Sequence, residues 1–308
     1  MTPHYDDCGD VHEHPQSKYD QALAHYDLHL HDDQVADSVR KLLDQHKSDY
    51  DTPDVRLQLL GSLELTSLKV TDSAESILAL TERVNAFADD NPDLPHLAAV
   101  CVYPNFAQIV SQSLQADGVE VACVAGGFPS SQTFAEIKTA EAALAIHDGA
   151  TEIDCVLNVG AYLSEDYETA CDEIAEIKAV CGEHRLKVIL ETGALATASH
   201  IKRAALLAIY AGADFIKTST GKIEPAATPE AAYVMCSAIK DYFARTGTKI
   251  GFKAAGGIAT VDDALTYYTI VREVLGESWI KEGLFRIGAS RLANRLAGEI
   301  LDGTKVYF

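Results

Sequence analysis

Gly212-Ala213-Asp214-Phe215-Ile216-Lys217-Thr218-Ser219-Thr220-Gly221-Lys222 reads as a short apolar strand, residues 214–216, that carries a lysine at its carboxyl end and runs into a turn of small hydroxyl and glycine residues. The stretch Lys249-Ile250-Gly251-Phe252-Lys253-Ala254-Ala255-Gly256-Gly257 repeats the arrangement, a strand ending in a lysine and then a glycine pair. A single strand-end lysine is ordinarily a solvated residue. Two of them on neighbouring parallel strands bring two ammonium groups together at one end of a sheet. Like charge and partial desolvation then lower an amine's pKa, so one of the pair can be neutral and nucleophilic near neutral pH. That is the state Schiff-base chemistry on an aldehyde requires.

Outward from these two strands the pattern is rhythmic. Apolar or β-branched runs at residues 59–65, 97–103, 119–125, 152–158, 186–191, 214–217, 250–253 and 284–287 each precede a segment with helical spacing. Helix starts are marked by Asp72 with Glu75, by Thr133 with Glu136, by Thr228 followed by Pro229, and by Thr260. The helix after the fifth run is read as one piece through Ile201 to Gly212, and the last helix as residues 289–301. Eight strand-helix units predict an α/β chain forming a (β/α)8 TIM barrel, with a doubly wound open sheet as the alternative.

In a barrel, Lys217 and Lys253 stand on adjacent strands at the catalytic end. Asp154 occupies a position in Thr151-Glu152-Ile153-Asp154-Cys155-Val156-Leu157 where alternation otherwise favours an apolar side chain, so it should point into the barrel. A buried carboxylate needs a partner, and the two lysines are the natural ones. The alternative is a structural ion pair that only fixes Lys253. Loops after the last strands of such barrels commonly cradle a phosphate at a helix amino end. Here those loops offer Gly256 and Gly257, Gly288 with Ser290, and Gly221 with Lys222 from the loop before. Glycines also serve plain turns, so the signal is their convergence on one rim.

These elements give the chain a specific likeness. The stretches Ala99-Val100-Cys101-Val102-Tyr103-Pro104, Gly149-Ala150-Thr151-Glu152-Ile153-Asp154, Asp214 to Lys222, Gly251 to Gly257 and Phe285-Arg286-Ile287-Gly288-Ala289-Ser290 resemble deoxyribose-phosphate aldolase, a class I aldolase family. The resemblance runs from about residue 57 to 301. It implies reversible cleavage of 2-deoxy-D-ribose 5-phosphate to acetaldehyde and D-glyceraldehyde 3-phosphate, with no metal and no cofactor. Lys217 then resembles the Schiff-base lysine, Lys253 the second lysine that lowers its pKa, and Asp154 the carboxylate of a proton relay through water. Lys222, Gly221, Gly256, Gly257, Gly288 and Ser290 resemble the phosphate-binding positions.

Three departures stand out. The family's Asp-Leu-Thr on the first strand is Glu64-Leu65-Thr66, a departure expected to alter a contact one layer out from the site. The proline after the second lysine is Ala254, and an arginine usual after the glycine pair is Ala259. Arg291, directly after Ser290, is a candidate to restore the positive charge missing at 259. The rival functions are another Schiff-base aldolase or transaldolase, and a non-catalytic phosphosugar-binding barrel. The motif through Thr220-Gly221-Lys222 argues against the first, and the retained lysine pair with Asp154 against the second.

Composition sets the limits. The 308-residue chain is 47% hydrophobic and 23% charged, with a formal charge of −21. Nucleic acid and anionic membranes are bound through clustered basic residues, so neither is an expected partner. The resemblance, rather than the composition, implies the expected partners: a small phosphorylated sugar, and a second copy of the chain as a dimer. Seven cysteines without a CxxC pair, no signal-like amino terminus and no apolar run near ~20 residues point to a cytoplasmic protein. Residues 1–55 are polar and hold seven of the eleven histidines, and read as a solvated extension on a barrel of residues 56–308. The pairs His12 with His14 and His29 with His31 lack the cysteine or carboxylate spacing that would complete a metal site. From about Gln34 the spacing of Val35, Val39, Leu42 and Leu43 predicts a helix packed on the remainder of the chain.

Overall fold

The computed structural model describes residues 18–301, 303 and 306–308. His4, His12, His14 and Cys8 lie outside the described residues. Eight parallel strands close into a barrel in sequence order. They are β1 Leu63–Thr66, β2 Ala99–Val102, β3 Glu120–Ala125, β4 Glu152–Val156, β5 Arg185–Ile189, β6 Phe215–Lys217, β7 Gly251–Ala255 and β8 Phe285–Ala289. The helices are α1 Lys18–Leu23, α2 Asp32–His46, α3 Pro53–Gly61, α4 Ala74–Asp90, α5 Ala107–Ser113, α6 Ala135–His147, α7 Val159–Leu163, α8 Tyr167–Cys181, α9 Thr192–Leu195, α10 Ala198–Tyr210, α11 Pro229–Thr246, α12 Val261–Val274, α13 Glu277–Lys281 and α14 Leu292–Ile300.

The period of two along each strand separates two interiors. Residues such as Val100, Val102, Val121, Cys123, Ile153, Val188, Ile216, Phe252 and Ile287 join the main core between sheet and helices. The barrel lumen is different. On β2 and β3 it is lined by a separate small cluster of Ala99, Cys101, Ala122 and Val124. On the remaining strands it holds buried charge: Glu64, Glu152, Asp154, Lys187, Lys217, Lys253 and Arg286. Phe215 fills the lumen beside its register partner Gly251, where a Cβ would lie 2.2 Å from the ring. Glycine there is a packing requirement.

Several boundaries differ from the expectation. The run 59–65 is split, because Thr52 caps a helix with Pro53 in its first turn, and Leu59 and Leu60 are buried on that helix, α3. Only Leu63 onward is strand. A short apolar run does not distinguish helix from strand. The cap of α4 is Ser73 with Ser76. Asp72 accepts instead from the Ser67 hydroxyl and the Lys69 amide, each at 2.9 Å. α6 begins at Ala135 after Phe134, without a side-chain cap, so Thr133 does not start it. The helix after β5 is two, α9 and α10, divided at Ala196 (φ 62°) with Thr197 capping the second. β8 continues to Ala289, and α14 begins only at Leu292. Thr228 and Thr260 cap their helices as expected.

The amino-terminal segment lies against the barrel. Tyr19, Leu23, Val35 and Val39 are buried in the main core, and Leu42 and Leu43 pack on it. α3 runs across position 55, where the extension was expected to end. The Asp32 carboxylate accepts from the Ala198 amide at 2.7 Å, serving the first turn of α10.

Candidate active site

Register brings the lysines together. Lys217 and Lys253 are direct partners across β6 and β7, and Asp154 pairs with Lys187 across β4 and β5. Alternation turns all four side chains into the lumen. Asp154 is the hub. Its Oδ2 accepts from Lys217 Nζ at 2.8 Å and from Lys253 Nζ at 2.7 Å, and its Oδ1 from Lys187 Nζ at 2.9 Å. Lys253 also donates to Glu64 Oε2. Lys187 lies 2.6 Å from Glu152 Oε2 and 3.3 Å from Glu64 Oε1. Arg286 and Arg185 close the column at Glu152, at 3.4 and 2.8 Å.

Environment divides these groups. Burial pushes the Lys217 amine below its ordinary value, and Lys253 adds to the effect against the pull of Asp154. Burial acts on Lys253 too, but Asp154 and Glu64 outweigh it and hold that amine above its ordinary value. Lys187 is held well above, because Asp154, Glu152 and Glu64 outweigh its burial. Burial would raise the Asp154 carboxyl, but Lys187, Lys217 and Lys253 keep it well below the usual carboxylate range. Glu152, set by Lys187 and Arg286 against burial, falls to about 2. The outcome is one amine made easier to deprotonate beside a second held as a cation.

Above Lys217 opens a cavity of about 240 Å³. Gly221, Lys222, Gly256, Gly257, Gly288, Ser290 and Arg291 all line it, so the expected phosphate-site residues are brought together with Lys217 on one rim. Gly256 (φ 91°) and Gly257 (φ 80°) turn the chain away from β7, and a Cβ on Gly256 would lie 2.6 Å from that of Ala226. A Cβ on Gly288 would lie 3.1 Å from Lys253 Cε, so that glycine gives the lysine stem its passage. Lys222 Nζ donates to the Leu68 carbonyl at 2.5 Å. Arg291 is exposed and stands at the N-cap of α14 without a side-chain cap bond.

Several participants escaped the sequence reading. Thr66, the last residue of β1, and residues 67–69 of the loop after it form another wall of the cavity. Glu191, at φ 56° and 5% exposed, accepts from the Thr220 hydroxyl at 2.5 Å and its amide at 3.3 Å. Thr220 Oγ1 in turn accepts from the Lys222 amide at 3.1 Å. Lys187, Glu152 and Arg286 went unread as site residues, although each is a charge inside an apolar strand. The signal that found Asp154 would have found them.

Glu64, Cys101 and Asp154 bring possible metal-ligand atoms within 4.8 Å of one another, the one such group among the described residues. Both carboxylates are already engaged by ammonium groups, and burial raises the Cys101 thiol pKa. The two carboxylates are matched to ammonium groups rather than to a metal ion.

A family model described as DeoC/LacD family aldolase matches residues 68–280. A putative deoxyribose-phosphate aldolase of Caenorhabditis elegans is 42% identical over 261 residues, covering 84% of this chain and 86% of that one. The deoxyribose-phosphate aldolase of Bos taurus is 47% identical over 246 residues, 77% of each chain. Among solved structures, the deoxyribose phosphate aldolase of Aeropyrum pernix, described as a unique tetramer, aligns with TM-score 0.65 and 25% identity over 84% of this chain and 97% of that one.

Proposed function

The chain belongs to the DeoC/LacD aldolase family, and from that membership we propose that it reversibly cleaves 2-deoxy-D-ribose 5-phosphate to acetaldehyde and D-glyceraldehyde 3-phosphate through an imine on Lys217. The observation that carries this reading is Lys217 itself, a buried amine with lowered pKa at the floor of a cavity rimmed by Lys222, two glycine turns and Ser290. The neutral amine adds to the C1 aldehyde of the open-chain sugar, loss of water leaves an imine, and a proton taken up at its nitrogen makes the iminium. The fragment that stays on the lysine has two carbons, so the bond that breaks is C2–C3. Its electron pair moves into the iminium to give an enamine, while the C3 hydroxyl loses its proton and becomes the aldehyde of the three-carbon phosphate. Asp154 is the acceptor, through water, for that proton, and Lys253 is the adjacent cation. Protonation of the enamine at C2 and hydrolysis release acetaldehyde and regenerate Lys217.

The phosphate is held by Lys222 and by amides of the turns at Gly221, Gly256, Gly257, Gly288 and Ser290, with Arg291 at the edge. In this reading the protein is cytoplasmic, serves deoxyribonucleoside breakdown and works as a homodimer. Among the described residues no helix is long and apolar enough to cross a membrane. Borohydride reduction in the presence of acetaldehyde tests the chemistry. A reduced two-carbon adduct is expected on the tryptic peptide bearing Lys217, and undiminished labelling in Lys217→Ala would overturn the assignment.

A further inference from the structure

The lumen cluster can be counted. Three carboxylates, Glu64, Glu152 and Asp154, face four cations, Lys187, Lys217, Lys253 and Arg286, and none of the seven is more than 6% exposed. Arg185, at the partly exposed lower edge, is matched by Glu120 at 3.7 Å. With every amine protonated the cluster carries one surplus positive charge. With one amine neutral it carries none. An uncompensated charge in a buried interior is the costlier state, so one cation is under pressure to yield its proton.

The contacts decide which. The Arg286 guanidinium does not deprotonate in proteins. Lys187 is surrounded by Asp154, Glu152 and Glu64. Lys217 and Lys253 share Asp154 Oδ2 almost equally, at 2.8 and 2.7 Å. What separates them is β1: Glu64 touches Lys253, whereas Asp154 is the one carboxylate in contact with Lys217 among the described residues. The remaining groups facing the pair are Cys101 from β2, Lys187 from β5 and Arg286 from β8, and none of them supplies Lys253 with a second anion.

We propose that Glu64 is a positioning residue that keeps Lys253 protonated across the working pH range and so makes Lys217 the amine of the cluster that gives up its charge. This rests on the reading of Lys217 as the nucleophile. Aspartate at the same place, as in the family pattern, has a side chain one methylene shorter. The glutamate extends its carboxylate into contact with Lys253 from the neighbouring face of the lumen.

The test is the pH–rate profile from pH 6 to 10.5 for the full chain, Glu64→Gln and Glu64→Asp, beside borohydride trapping with acetaldehyde. The parent should show no alkaline fall below about pH 10. Glu64→Gln should still be trapped on Lys217, with both limbs moved to lower pH and the alkaline one lowered by at least one unit, about a tenfold loss of rate at pH 10. Glu64→Asp should recover part of that shift. A Glu64→Gln profile parallel to the parent's, at whatever rate, would mean a structural role and overturns the proposal. Absence of trapping on Lys217 in the parent would overturn the nucleophile reading instead. If Glu64→Gln does not fold, the 13Cε shift of Lys253 in the parent is read directly: titration above the ordinary lysine range is expected, and titration within or below that range is contrary.

Discussion

Arg291 stands at the mouth of the cavity with no carboxylate partner among the described residues, in a chain whose formal charge is −21. A cation at a helix amino end is disfavoured by the dipole unless an anion sits nearby. In the proposed reading the substrate phosphate is that anion, and the side chain supplies the positive charge that Ala259 does not. Arg291→Ser should therefore raise KM for deoxyribose 5-phosphate about tenfold, the lower end of a charge-assisted hydrogen bond, and leave KM for unphosphorylated deoxyribose nearly unchanged. Equal effects on both substrates, measured side by side, would remove Arg291 from the phosphate site. At this scale the sequence was readable where a residue broke a pattern conspicuously, as Lys217, Lys253 and Asp154 do. Lys187 and Arg286 break it just as plainly. Their meaning comes from register across β4–β5 and β7–β8, which one strand read alone does not reveal.

At the scale of elements, strand number and order followed from the alternation of apolar runs with helical spacing, because a buried parallel strand and an amphipathic helix leave different periods. What was not readable came from competition between local signals. Leu59 and Leu60 suit a strand as well as they suit α3, and the Thr52 cap with Pro53 decided for helix. The break between α9 and α10 depends on Ala196 at φ 62°, which no residue type announces. The same segment begins at Glu191, whose left-handed backbone aims its carboxylate at Thr220 and so fixes the loop carrying Lys222. A carboxylate can accept both the hydroxyl and the amide of Thr220, whereas a glutamine has one acceptor oxygen and must weaken one bond. Glu191→Gln should raise KM for the phosphorylated substrate roughly threefold to tenfold, matching about 1 kcal/mol for a hydrogen bond. Trapping of Lys217 by acetaldehyde, which carries no phosphate, should persist. A lost adduct with unchanged KM would place Glu191 in the chemistry rather than in the loop.

For the whole molecule, the question is what residues 1–50 contribute. Composition suggested a solvated appendage, yet α1 and α2 place Tyr19, Leu23, Val35 and Val39 in the same core as the barrel helices, and Asp32 serves the first turn of α10. None of those groups reaches Asp154, Lys217 or Lys253. Their contribution therefore goes to stability rather than to the reacting atoms. Burying a valine or leucine side chain contributes about 1.5–3 kcal/mol, an upper figure because unfolded chains are already partly compact. Losing four such contributions, about 6–12 kcal/mol at most, lowers Tm by about 10 °C or more at the ~2–4 °C per kcal/mol usual for chains of about 150–250 residues. Deleting residues 1–50 should accordingly leave acetaldehyde trapping on Lys217 intact at low temperature while thermal unfolding, measured by circular dichroism, moves down by that amount. A truncated protein that unfolds at the parent's Tm would mean that α2 is held only loosely. One that folds but is not labelled would mean that the segment shapes the loops after β5 and β6 from outside, through Asp32 and α10.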